Sequence, residues 1–239
     1  MNRRKLLTFA TAGTLTTMLP RVEVSSAAST RCEAQFPHHG KPVKPPQKGP
    51  LRVAFVVGPE TVLIDVAGPW EAFTDSMHNI ELYLVAPPRK PVDLGGIRAR
   101  PDYTFENAPQ PHVIVVPATQ ELPESIHWVQ RASKRADITM SICVGAFFLA
   151  KAGLLNGLYA TTHHSGYDDF AKMYPDVKLV RGPRYVENWN VSTSGGETSG
   201  IALALRVVER YYGKPAAQES AANMEYVQTP RPEACATHA

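Results

Sequence analysis

The chain is predicted to be an α/β protein with a mostly parallel sheet, and three observations predict it. Short β-branched runs alternate with longer helix-forming stretches, the order that builds a sheet covered on both faces. The first run, Leu51 to Val57, is apolar apart from Arg52, as expected of a strand buried on both faces. Finally, the run Asp137 to Ile142 passes through Cys143 directly into a helix-forming segment. That gives a strand, a sharp turn and a helix over residues 137–153.

The remaining elements follow in order. Asp65 to Met77 reads as a helix with Gly68-Pro69 in its opening turn. Ile80 to Ala86 and His112 to Val116 read as strands, the second stopped by Pro117. Glu121 to Arg135 is helical, then come the Cys143 strand and a helix from Val144 to Gly153, where glycine suits the helix stop. Leu158 to Thr162 is a short strand and Ser165 to Tyr174 a helix. Val177 to Val180 and Trp189 to Thr193 are strands, the latter leading into a glycine turn at Gly195-Gly196. Ile201, Leu205, Val208 and Tyr212 mark one face of a long helix ending at Gly213. Pro215 opens a last helix that runs to about Val227. The sequence has no internal repeat, phosphate-binding glycine loop or dinucleotide fingerprint, and no helix-turn-helix segment after residue 227.

The ends have a different character. Arg3-Arg4-Lys5, a mildly apolar stretch from Leu6 to Leu19 and the small residues Ser26-Ala27-Ala28 read as a twin-arginine-like export signal over residues 1–28. This places the protein in the periplasm or outside the cell, with no membrane attachment after cleavage. The chain has 25 basic and 22 acidic residues, and residues 1–28 carry four basic residues against Glu23 alone. The mature domain is therefore formally neutral and has no electrostatic footprint for nucleic acid. Residues 29–50, with five prolines and interspersed lysines, read as an extended, solvated linker, including the solvated pair His38-His39. The domain spans 51–229, and 230–239 is a tail. Cys32 and Cys235 either pair in an oxidising compartment or stay unpaired on their termini; pairing leaves Cys143 as the free thiol.

Ligands of parallel sheets bind at the carboxyl ends of the strands, which is where Cys143 lies. One reading is a small buried hydrophobe. The other is a nucleophile elbow, in which the sulfur faces a helix N-terminus that favours thiolate and Gly145 leaves room for tight backbone and ligand. Asp65 is either a helix cap or the acid–base partner of the thiol, with Glu60 as competitor. The backbone N–H of Ala118, with that of Val144, either points at developing negative charge or belongs to an ordinary loop. His163 either orients the thiol or is structural. His163 and His164 alternate faces and lack further ligands, so no metal is expected.

These residues carry a resemblance. Asp65-Val66-Ala67-Gly68-Pro69-Trp70-Glu71-Ala72-Phe73, Ser141-Ile142-Cys143-Val144-Gly145-Ala146, Ala152-Gly153-Leu154-Leu155-Asn156-Gly157, Ala160-Thr161-Thr162-His163 and Thr193-Ser194-Gly195-Gly196-Glu197-Thr198-Ser199-Gly200-Ile201 resemble the ThiJ/PfpI group of the class I glutamine-amidotransferase-like superfamily. So does the tail, with Met224-Glu225-Tyr226, Pro230 and Pro232. Within the group the chain is most similar to isonitrile hydratases and to the ligand domains of AraC-type regulators.

The resemblance implies a flavodoxin-like three-layer sandwich and a homodimer acting on a small molecule without cofactor. It also implies hydration of an isonitrile to an N-substituted formamide by Cys143, with Asp65 as its partner. Three positions depart from the hydratase pattern. Val144 stands where a hydroxyl residue is usual, Ala118-Thr119 where Gly-Gly is usual, and His164 where Trp is common. The first two also fit a non-catalytic small-molecule or redox sensor on the same scaffold. A deglycase or hydrolase branch of the group would instead rely on His163.

Overall fold

The computed structural model describes residues 40–87 and 90–227. In chain order the elements are β1 (Leu51–Val56), α1 (Leu63–Thr74), β2 (Ile80–Ala86), β3 (Val92–Leu94), β4 (Ile97–Ala99), β5 (Tyr103–Thr104) and β6 (Val113–Val116). Then come α2 (Pro123–Ala132), β7 (Ile138–Ser141), α3 (Gly145–Lys151), β8 (Tyr159–Ala160), a 3₁₀ turn (His164–Gly166), α4 (Tyr167–Met173) and β9 (Lys178–Leu179). The chain finishes with β10 (Tyr185–Asn188), β11 (Val191–Ser194), α5 (Ser199–Tyr212) and α6 (Lys214–Asn223).

Seven strands form the central sheet in the order β10-β11-β7-β6-β1-β2-β5. Every neighbouring pair is parallel except the edge pair β10–β11. The carboxyl ends of β1, β6, β7 and β11 therefore share one edge, and the loops leaving them meet there.

The alternation of side chains along buried strands builds two cores. Val53 and Phe55 of β1, Val113 and Val115 of β6 and Met140 of β7 face α1, α5 and α6. Ala54, Val56, Ile114 and Val116 face α2, α3 and α4. Phe55 packs 5.2 Å from Trp70 and 6.5 Å from Phe73 between ring centroids, fastening α1 to the sheet. Each such aromatic pair contributes about 0.5–1.5 kcal/mol beyond its buried area.

Several expectations are corrected. The first helix begins at Leu63, so Gly68-Pro69 fall in its second turn. The hairpin β3–β4 and the edge strands β5 and β10 have no counterpart in the sequence reading. The runs at 158–162 and 177–180 form a separate two-stranded sheet, β8–β9. The linker is not solvated throughout. Arg206 and Arg210 donate to the carbonyls of Gly40 and Lys41, and the Val43 N–H donates 2.8 Å to the Arg210 carbonyl. A short strap before β1 is thus tied to α5. Residues 1–39 and 228–239, with the leader, His38-His39, Cys32, Cys235 and the tail, lie outside the described residues. Among the described residues no helix is long and apolar enough to cross a membrane.

Candidate active site

Cys143 follows β7 by two residues and takes φ +58°, the left-handed conformation that costs a side-chain-bearing residue roughly 1–2 kcal/mol. Three contacts over-determine it. Its N–H donates 3.0 Å to the Gly195 carbonyl, its carbonyl accepts 3.0 Å from the Thr162 hydroxyl, and the preceding Ile142 N–H donates 3.0 Å to the Val116 carbonyl. Gly145 is obligatory because a Cβ there would collide with the Val116 carbonyl oxygen and lie 2.8 Å from that of Pro117. The elbow read from the sequence is present.

Asp65 is the third residue of α1, and the helix is preceded by Val62, which makes no side-chain cap. The carboxylate is therefore not a cap. It is wholly buried, and Oδ2 accepts 3.0 Å from the Ala118 N–H. Oδ1 is buried with no hydrogen-bond partner among the described residues. Two loops hold it in place. The Val62 N–H donates 3.0 Å to the Ala118 carbonyl and the Gln120 N–H donates 2.9 Å to that of Pro59. The Thr61 hydroxyl bridges to Thr119 at 2.8 Å. The β1–α1 and β6–α2 loops are zipped together, and this delivers Asp65 to the edge where the elbow stands.

The electrostatics join the two groups. Burial pushes the Asp65 carboxyl from 3.8 up to about 6; the Ala118 N–H pulls it down and the Glu197 carboxylate pushes it up. Burial pushes the Cys143 thiol up to about 11, with the Asp65 carboxylate as the next cause. N–H groups of Val144 and Glu197 donate to the sulfur and pull it down, and the Glu197 carboxylate pushes it up. The expectation of a resting thiolate is thereby corrected. Cys143 is only 8% exposed, and α3 has seven residues, too short for its dipole to outweigh burial beside a carboxylate. Near neutral pH the pair holds one proton, on sulfur, beside a carboxylate able to take it.

The structure brings Cys143, Asp65 and the Val144 N–H together. It corrects one other expectation, because the Ala118 N–H serves Asp65 instead of an oxyanion. The Gly145 N–H is likewise committed, to the Ile142 carbonyl at 2.9 Å. Glu60 is exposed, in a left-handed turn with φ +60°. His163 caps the 3₁₀ turn, its Nδ1 lying 2.7 Å from the Ser165 hydroxyl and accepting from the Ser165 N–H at 3.3 Å. Its ring fills the space a side chain at Gly196 would need. Among the described residues no three His, Cys, Asp or Glu side chains group as metal ligands.

Two contributors were missed. The Thr162 hydroxyl holds the elbow and the Glu197 N–H holds the sulfur. The glycine turn at Gly195-Gly196, directly after a strand parallel to β7, was the signal for Glu197.

Known proteins resemble this chain in sequence and in fold. Isonitrile hydratase of Pseudomonas putida is 29% identical over 188 residues, covering 75% of this chain and 80% of that protein. The transcriptional regulator GbdR of Pseudomonas aeruginosa is 24% identical over 183 residues, covering 72% of this chain and 50% of the regulator. A ThiJ/PfpI family crystal structure from Pseudomonas syringae superposes with TM-score 0.69 at 28% identity, covering 78% of this chain and 79% of that one. Drosophila melanogaster DJ-1beta shares the fold, with TM-score 0.67 at 17% identity over 75% of this chain and all of that one. Residues 51–210 match the DJ-1/PfpI family pattern, and the chain belongs to that family.

Proposed function

We propose that this protein is a cysteine-dependent enzyme that hydrates an isonitrile to an N-substituted formamide. The observation that carries the reading is the pairing of the Cys143 thiol with an under-paired, buried Asp65 carboxylate at the sheet edge. The 29% identity to isonitrile hydratase supports it.

As the Cys143 sulfur attacks the terminal carbon of R–N≡C, Asp65 takes the thiol proton and delivers it to that carbon, giving the thioimidate R–N=CH–S–Cys. Water adds to the C=N carbon, the C–S bond breaks, and the proton balance returns the thiol and releases R–NH–CHO. A raised thiol suits this route because the base beside it is ionised while the thiol still holds its proton. No metal or organic cofactor takes part. An oxidation sensor needs a resting thiolate, which burial of Cys143 opposes.

The test is incubation of purified protein with cyclohexyl isocyanide and measurement of the formamide. Cys143→Ala is expected to lower the rate at least about a thousandfold. Product formed equally well by Cys143→Ala overturns the proposal. Export directed by residues 1–28 and homodimer assembly belong to the same proposal. They are motivated by the Arg3-Arg4-Lys5 leader and the family resemblance, and N-terminal sequencing of the exported fraction and light scattering test them.

A further inference from the structure

The loop Gly195 to Thr198 lies across the reactive sulfur. The Gly195 carbonyl accepts from the Cys143 N–H at 3.0 Å, and two residues later the Glu197 N–H donates to the sulfur itself. Glu197 adopts φ +47°, a conformation unfavourable for glutamate. The loop is locked into the start of α5, because the Ser199 N–H donates 3.1 Å to the Gly196 carbonyl and the Gly200 N–H donates 3.0 Å to that of Glu197. The backbone of Glu197 is therefore pinned against sulfur while its side chain is exposed. Beneath it, Cys143 and Asp65 are 8% and 0% exposed.

We propose that the Glu197 carboxylate is a charge filter at the mouth of the site, favouring neutral and cationic compounds over anionic ones at Cys143. This rests on the reading of Cys143 as the reactive thiol. The filter acts through the field of one carboxylate beside a thiol whose other charged neighbour, Asp65, is also negative, so an anion approaching sulfur meets two like charges. Both Asp65 and Cys143 register the Glu197 charge. Arg184, whose carbonyl accepts 2.9 Å from the Gly195 N–H, has another partner as well. Arg184 donates 3.2 Å to the Tyr226 hydroxyl, which lies 3.4 Å from the Thr198 carbonyl. For an isonitrile substrate the filter selects a neutral or ammonium-bearing substituent and disfavours a carboxylate-bearing one.

Thiol modification tests the filter without requiring turnover. The full chain is treated with 2-aminoethyl, 2-sulfonatoethyl and methyl methanethiosulfonate, and the Cys143 peptide is followed by mass spectrometry. Each reagent transfers its RS group to sulfur, forming a mixed disulfide and releasing methanesulfinate, while the thiol proton passes to buffer. Rates are divided by those of N-acetylcysteine and then by that of the neutral methyl reagent, which cancels any change in thiol acidity. The cation-to-anion ratio is expected to be on the order of tenfold at low salt, to fall toward one in Glu197→Gln and to persist in Glu197→Asp.

A ratio near one in the unaltered protein, or one unchanged by Glu197→Gln, overturns the filter. Selective modification without hydration of any isocyanide leaves the filter standing and removes the hydratase reading. Hydration without charge selectivity does the reverse.

Discussion

Asp65 and Glu187 are both buried carboxylates, and the fold surrounds them in opposite ways. Glu187, on the edge strand β10, is 7% exposed and clasped by two guanidinium groups, with Arg206 at 2.9 Å and Arg210 at 3.6 Å. Those same arginines hold the strap at Gly40 and Lys41. Asp65, at the crowded end of β1, has one backbone N–H on Oδ2 and nothing on Oδ1 among the described residues. A charge that only supports the fold is matched by opposite charge, since leaving it bare costs several kcal/mol. Asp65, which exchanges a proton on the proposed route, is left under-matched, and burial raises its value to about 6.

The sharpest way to break this comparison is to neutralise each carboxylate in turn. Asp65→Asn is expected to lower hydration of cyclohexyl isocyanide by about a hundredfold to a thousandfold, because a general acid–base group is lost. Its folded stability should hold or rise. Glu187→Ala should do the opposite. It strands Arg210, destabilises the fold by about 2–4 kcal/mol in urea titrations and leaves the rate per folded molecule within about twofold. Equal effects of the two substitutions on activity would remove the distinction.

The next test uses pH. Asp65 ionises near 3.8 when unfolded and near 6 when folded. Its folded value is raised, so its contribution is fully present below about pH 4 and is lost as pH rises through about 6. The loss is about 3 kcal/mol. The stability difference between the unaltered chain and Asp65→Asn, measured from pH 3.5 to 7.5, should change by about that amount in favour of the variant. Activity should rise through about pH 6 as the base ionises. Thiol absorbance should show Cys143 ionising near 11, and ionisation below about 8 would contradict its burial beside a carboxylate.

The smallest expected effect is at Val144, 39% exposed beside the sulfur. Val144→Thr adds a hydroxyl near the reacting carbon. It should raise the hydration rate up to about tenfold, with stability changed by less than about 0.5 kcal/mol.

Most of this frame could be read in the sequence because it is written in side chains. The strand at Ile80–Ala86 was placed without error, and the elbow was legible as a β-branched run meeting helix formers at Cys143. What escaped was carried by main chain or hidden by pairing. The strands β3, β4 and β5 are two or three residues long, too short for an apolar rhythm. Strand β10 contains Glu187, whose charge looks incompatible with a buried strand until Arg206 and Arg210 arrive from α5. Asp65 could be nominated from its motif, whereas the commitment of the Ala118 N–H to it, and of the Glu197 N–H to sulfur, leaves no trace in residue identity. Any residue except proline supplies an N–H, so sequence alone does not say where it points.

The lone hydrogen bond to Oδ2 has a consequence for isotope incorporation on the proposed route. With one oxygen occupied by the Ala118 amide, the mobile hydrogen rides on the other. It is collected from sulfur and handed on to the reacting carbon between two groups that are both buried. In heavy water, where the thiol hydrogen exchanges, deuterium should therefore appear on the formyl carbon and survive hydrolysis of the thioimidate, so that a main-chain amide from a separate loop fixes which carboxylate oxygen carries the label.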